Sequence, residues 1–224
     1  MTFLLLWLIL VLFLPVLLFL LFYKMVSISF VKLGIPRPLV FFLFLAILVG
    51  GLVNIPIWAT QAPQPGGLFQ FGRMFFFEPP EVRTVIIAIN VGGALIPLLL
   101  SLFLLPRAPL LRTGLAVVVV TLVASSLARV VPGVGITLNP LVPPLVSAGT
   151  ALVLAWRQAA PVAYIAGTLG TLIGADLLHL REVIQSGGTF LTIGGAGVFD
   201  GISLVGIIAA FLSPGAAHSR RPAG

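Results

Sequence analysis

Cysteine is absent from the 224 residues, so no disulfide frame, thiol nucleophile or cysteine metal ligand is available. Charge is nearly absent too. Only 8% of residues are Asp, Glu, Lys or Arg, against about 25% in a soluble domain. Acid is the scarcest kind, with five residues in all, and Asp176 and Asp200 are the only aspartates. No Walker loop, G-x-S-x-G, H-E-x-x-H or Gly-rich dinucleotide fingerprint occurs, which removes the commonest nucleotide, serine-hydrolase and zinc readings. What fills the chain instead is apolar: 60% of residues are hydrophobic. They gather into runs long enough to cross ~30 Å of hydrocarbon, so the lipid bilayer is the first partner.

These runs predict an all-α, polytopic membrane helix bundle of about seven transmembrane helices, some broken by Gly or Pro. The first covers Thr2 to Phe22, with Pro15 as a kink; it lacks the basic n-region and cleavage site of a signal peptide. The others fall at about Leu39–Trp58, Thr84–Leu105, Thr113–Ala128, Thr137–Trp156, Ala160–Leu180 and Phe190–Leu212. Between the second and third lies the longest loop, Thr60 to Arg83, carrying Phe69, Phe71, Phe75, Phe76 and Phe77 for the membrane interface. Residues 1–212 form one transmembrane domain, and 213–224 a disordered cytoplasmic tail.

The net charge of +7 is carried by single basic residues in short loops, with no stripe or motif for nucleic acid. Lys24, Lys32, Arg37, Arg107, Arg112, Arg157, Arg220 and Arg221 follow odd-numbered spans, and Arg73, Arg83, Arg129 and Arg181 follow even-numbered ones. Eight against four places the N-terminus outside and the C-terminus in the cytoplasm of a multi-pass protein of the cell (inner) membrane.

Asp176 and Asp200 each sit inside an apolar run, where an ionised Asp costs about 2.5–3.5 kcal/mol on insertion scales. Brought together, they would share one proton and form the dyad of an aspartic hydrolase. The same pair suits proton passage or cation binding, and a lone hydrogen-bonded carboxyl is the structural alternative. Helical geometry opposes a straight pair. Gly167, Gly170 and Gly174 make one small-residue seam and Gly194, Gly197 and Gly201 a second. If straight helices met seam to seam, Asp176 would point about 150° and Asp200 about 90° from the contact. A dyad therefore requires unwinding around Gly194–Gly197. His179, three residues after Asp176, is a candidate proton relay, with an interfacial helix-end histidine as its alternative. Asn54, Asn90 and Asn139 all stand beside Pro or Gly-Gly and are candidate substrate or ion ligands, or packing glue. No metal site and no cofactor is called for.

At GTLIGADLLHL and GGAGVFDGI, joined to VNIP, NVGGALIP and NP-x-x-PP, the chain resembles a family of uncharacterised prokaryotic integral membrane proteins, a domain of unknown function. The resemblance implies that Asp176 and Asp200 belong to the family pattern. More loosely, the chain is similar to intramembrane aspartyl proteases of the presenilin and signal-peptide-peptidase kind, which place one Asp on each of two consecutive spans. It departs from them in having Gly195-Ala196-Gly197-Val198-Phe199-Asp200 for G-x-G-D and Ala175-Asp176 for Tyr-Asp. The functional expectations are three: an intramembrane hydrolase using Asp176 and Asp200, a proton- or cation-coupled transporter of a small solute, or a non-catalytic assembly or lipid-binding protein. A transmembrane peptide, a lipid or a small solute is what such a site would take, and a homo-oligomer is an open arrangement.

Overall fold

The computed structural model describes residues 2–63, 82–132, 135–195 and 201–214, with side chains from Val11 onward. The chain is mostly helical, and three stretches are long and apolar enough to cross a membrane: Val11–Lys32, Leu110–Leu127 and the composite Val142–Gln185. Short strands interrupt the helices, which corrects the expectation of an all-α chain.

The helix α1, Thr2–Lys32, continues unbroken past Pro15, Lys24 and into the expected loop, about 46 Å of helical rise. Its face from Val11 to Leu21 is exposed, and its last turns carry the packing through Val26, Ser29 and Phe30. Lys32 closes the contact by donating to the Phe211 (2.5 Å) and Ser213 (2.9 Å) carbonyls. These are carbonyls that a helix C-terminus otherwise leaves unpaired.

At the centre stands α6, Ala159–Thr171, with every residue buried except Leu169. A helix buried all round belongs in a core. Around it pack α3 (Ile96–Leu104), α4 (Leu110–Leu127), α5 (Val142–Ala155), α8 (Gly201–Leu212) and the end of α1. Small residues set the approach. A Cβ on Gly170 would lie 2.6 Å from the Cβ of Val120, and one on Gly174 would lie 2.5 Å from the Thr121 carbonyl. Both glycines therefore admit α4, which runs parallel to α6. Gly167 meets Val205 and Gly206 meets Thr168 and Tyr164, so α8 runs antiparallel on another side. The first glycine seam is thus divided between α4 and α8, and a Cβ on Gly201 of the second would meet nothing within 4 Å.

The expected second, third and seventh helices are each part strand. The helix α2 (Arg37–Gly50) stops after 14 residues, about 21 Å. The chain then leaves as β1 (Asn54–Pro63) and returns as β2 (Val82–Asn90), paired antiparallel from Asn54↔Asn90 to Pro63↔Val82. It re-enters the bundle through a π-helical turn, Val91–Leu95, and α3. β5 (Phe190–Ile193) joins β2 in parallel, completing the order β1-β2-β5. A second hairpin, β3 (Arg129–Val131) with β4 (Gly135–Thr137), links α4 to α5. The physical reason is composition: Val82-Arg83-Thr84-Val85-Ile86-Ile87-Ala88-Ile89 is rich in β-branched residues and bounded by Asn90 and Gly92-Gly93. Ile87, Ala94, Leu172, Ile193 and Ile202 form a small cluster that seats the sheet on the bundle.

Candidate functional site

The polar residues concentrate where helices end below the sheet. Asn90 is the last residue of β2 and caps the π-turn, its Oδ1 accepting from the Gly93 N–H at 2.7 Å. Its Nδ2 donates to the Gly51 carbonyl (2.8 Å) and to Asn54 Oδ1 (2.9 Å). One amide, 2% exposed, thus joins the end of α2, the start of β1 and the entry to α3. Glycine is needed on both sides of the junction. A Cβ on Gly92 would overlap the Ile47 carbonyl, and one on Gly50 would lie 2.9 Å from the Gly92 nitrogen. Ser203, near the start of α8, donates to the Gly92 carbonyl at 2.8 Å.

Asp176 lies on a second π-helical segment, Leu172–Leu177, which continues α6. Its Oδ2 accepts from the backbone N–H of Gly194 at 2.9 Å. Gly194 directly follows β5 and has φ +70, in the left-handed region that favours glycine. A Cβ there would also lie 2.5 Å from the Cβ of Ala94. Gly194 is therefore wedged between Asp176 and the Gly93-Ala94 turn, and the aspartate and the asparagine pair belong to one layer.

His179 is bound to the turn that carries Asp176. Its Nδ1 is 3.0 Å from the Gly174 carbonyl and 3.1 Å from that of Ala175. Both partners are acceptors, so Nδ1 carries the proton in this assignment. The ring thereby holds the Gly174 and Ala175 carbonyls of the π-helical segment. Asn139 stands apart: it is exposed, and its Oδ1 accepts from the Leu141 N–H at 2.9 Å in a local turn before α5. Asp200 lies outside the described residues, as does Gly197. Phe190–Ile193 is a strand and Gly194 a left-handed turn, which corrects the continuous helix expected from Phe190 to Leu212.

Arg83 is the residue that sequence reasoning passed over. It donates through Nη1 to the Gly188 carbonyl and through Nη2 to that of Ile184 (2.7 Å). It thereby clamps the end of the short helix α7 (Leu180–Gln185) and the turn leading into β5. Its signal was position, a lone charge inside an apolar strand. Among the described residues no group of three or more His, Asp or Glu gathers to hold a metal ion. Asn90 spends its amide on structural bonds, which leaves the layer's carboxyl as its chemical group.

Residues 48–212 match the family described as a protein of unknown function, DUF1614. The chain belongs to that family. No curated protein and no solved structure matches it. The matched region starts at the end of α2 and holds the whole polar layer, so Asn54, Asn90, Asp176, Gly194 and Ser203 all lie within the DUF1614 region. The helix α1, exposed from Val11 to Leu21, lies outside it. The apolar helices and the family together describe a membrane protein of unknown function.

Proposed function

We propose that the layer beneath the sheet is the centre of an intramembrane hydrolase in which Asp176 works with Asp200. The observation that carries this reading is the turn at Gly194. Straight helices would hold the two carboxyls apart, whereas a strand and a left-handed glycine replace the helix there and seat a backbone N–H on Asp176. A residue two positions after Asp200 adds support, since Ile202 packs with Leu172 and Ile193 in the cluster below the sheet. In the proposed reaction the pair shares one proton. The ionised carboxylate takes a proton from water as that water attacks a carbonyl carbon, and the protonated partner donates to the carbonyl oxygen. Collapse of the tetrahedral intermediate breaks the bond to the leaving group, which takes the proton that the first carboxylate removed from water. The second carboxylate recovers its proton from the intermediate's hydroxyl. A transmembrane peptide or a lipid ester supplies such a bond.

The basic residues support an orientation. Lys32, Arg37, Arg107, Arg112 and Arg157 lie at the end where α6 begins, and Arg83, Arg129 and Arg181 lie at the sheet end. We place the first end in the cytoplasm of the cell membrane and the polar layer towards the outer side.

The test is Asp176→Asn and Asp200→Asn in liposomes, assayed in parallel for cleavage of a transmembrane peptide or lipid and for proton flux. Each variant should abolish cleavage and leave flux at background. Undiminished cleavage in either variant, or flux without cleavage in the wild type, overturns the hydrolase.

A further inference from the structure

Among the described residues, four buried hydroxyls in the bundle have no hydrogen-bond partner: Tyr164, Thr168 and Thr171 on α6 and Ser101 on α3. None of these residues is more than 2% exposed. The rest of the bundle handles its buried hydroxyls differently. Ser29 donates to the Ile207 carbonyl, Ser147 to that of Ala163, Ser203 to that of Gly92 and Ser213 to that of Ala209. Thr113 donates to the carbonyl four residues before it, the usual recourse of a helical threonine. Thr168 and Thr171 do neither.

Three of the four share one face of α6. Tyr164, Thr168 and Thr171 are spaced i, i+4 and i+7, which puts them on one face of α6. The Tyr164 and Thr168 hydroxyls are neighbours without meeting hydrogen-bond geometry. Across from them is Gly206, whose missing Cβ leaves room for the Thr168 hydroxyl. Ser101 lies on the face of α3 that buries Pro97, Leu100 and Leu104. The Gln158 amide donates to the Arg107 carbonyl at 3.2 Å, which ties the start of α6 to the end of α3. Tyr164 and Ser101 are each six residues in from that tie, about 9 Å of helical rise, so they stand at one height.

We propose that this stripe binds a short chain of water molecules inside the bundle, bridging Ser101, Tyr164, Thr168 and Thr171. Water fits the donor set. Each hydroxyl both gives and accepts, and a buried water takes two to four such partners. A bare cation would call for carboxylate or carbonyl oxygens in numbers that four hydroxyls do not supply. Leaving a buried hydroxyl unpaired costs more than an ordinary hydrogen bond gains, so four together call for a common partner. Thr171 is the residue from which the Asp176 π-helix begins, so the chain delivers water from within the bundle to the polar layer. The inference stands whether or not that layer is hydrolytic.

Radiolytic hydroxyl-radical footprinting of the full chain in nanodiscs reads bound water directly. With the intrinsic reactivity of each ring divided out, Tyr164 should label several-fold faster than Phe44, which is comparably buried. The paired substitutions Thr168→Val and Thr171→Val should bring Tyr164 down to the Phe44 rate and lower the melting temperature. Labelling of wild-type Tyr164 no faster than Phe44 overturns the proposal, and so does a rise in melting temperature on replacing the two hydroxyls, the mark of a dry core relieved of orphan groups. Should the double variant fail to fold, the wild-type ratio decides alone.

Discussion

The interior of the bundle and the layer beneath the sheet use glycine for opposite purposes. Around α6 the backbone satisfies itself, so Gly170 and Gly174 matter only for the space they leave to α4. Beneath the sheet the helices stop short. Their ends expose N–H and C=O groups, and the partners come from Asn90, Asp176, Ser203 and Arg83. Gly194 there is required by its φ of +70 as well as by space. One region is tolerant of shape changes that preserve packing, and the other is tolerant only of changes that preserve hydrogen bonds.

The contrast is sharpest at Gly194→Ala. It combines a left-handed backbone with a Cβ 2.5 Å from that of Ala94, and should cost about 3 kcal/mol or more in detergent-solubilised melting. Gly170→Ala meets Val120 at a similar distance but in ordinary helical backbone, and overpacking alone should cost about 1–3 kcal/mol. A larger loss at Gly170 would reverse the comparison. Asn90→Ala removes three hydrogen bonds and leaves the Gly93 N–H buried and unpaired, for about 2–3 kcal/mol. Smaller still is Lys32→Met, which keeps the side-chain volume but gives up the cap on α8, about 0.5–1 kcal/mol by the same measurement. Least is expected of Asn139→Ala, whose exposed turn makes one local bond and should shift stability by about 0.5 kcal/mol or less. If Asn139→Ala costs as much as Asn90→Ala, the polar layer has been drawn too narrowly.

Much of the bundle was legible before the structure. α4, α5 and α6 overlap the expected spans, because long apolar runs in this composition have one stable use. Asn54 and Asn90 were singled out for standing beside Pro and Gly-Gly, and those breaks are where α2 ends and α3 begins. The sheet was not legible. Ile86-Ile87-Ala88-Ile89 is apolar on both faces, so neither period two nor period 3.6 is visible in it, and hydropathy sums composition without reading conformation. β5 was hidden for a related reason, since four residues are too few to carry a period. The pairing of Asp176 with Gly194 depends on that strand, so it was legible only as a condition: a break at Gly194. The β-branched enrichment of β2 and the paired glycines at each end of the hairpin were the signals available.

Because the chain has no cysteine, a disulfide can be sought between two introduced ones without background. The most direct test of the proposed centre is Asp176→Cys with Asp200→Cys in the full chain in membranes, treated with a mild oxidant. A shared site predicts rapid, near-complete cross-linking, since a disulfide forms when the two Cα atoms are within about 7 Å. It also predicts much weaker cross-linking when Asn139→Cys replaces Asp200→Cys. No cross-link between positions 176 and 200, in protein that still melts cooperatively, contradicts it.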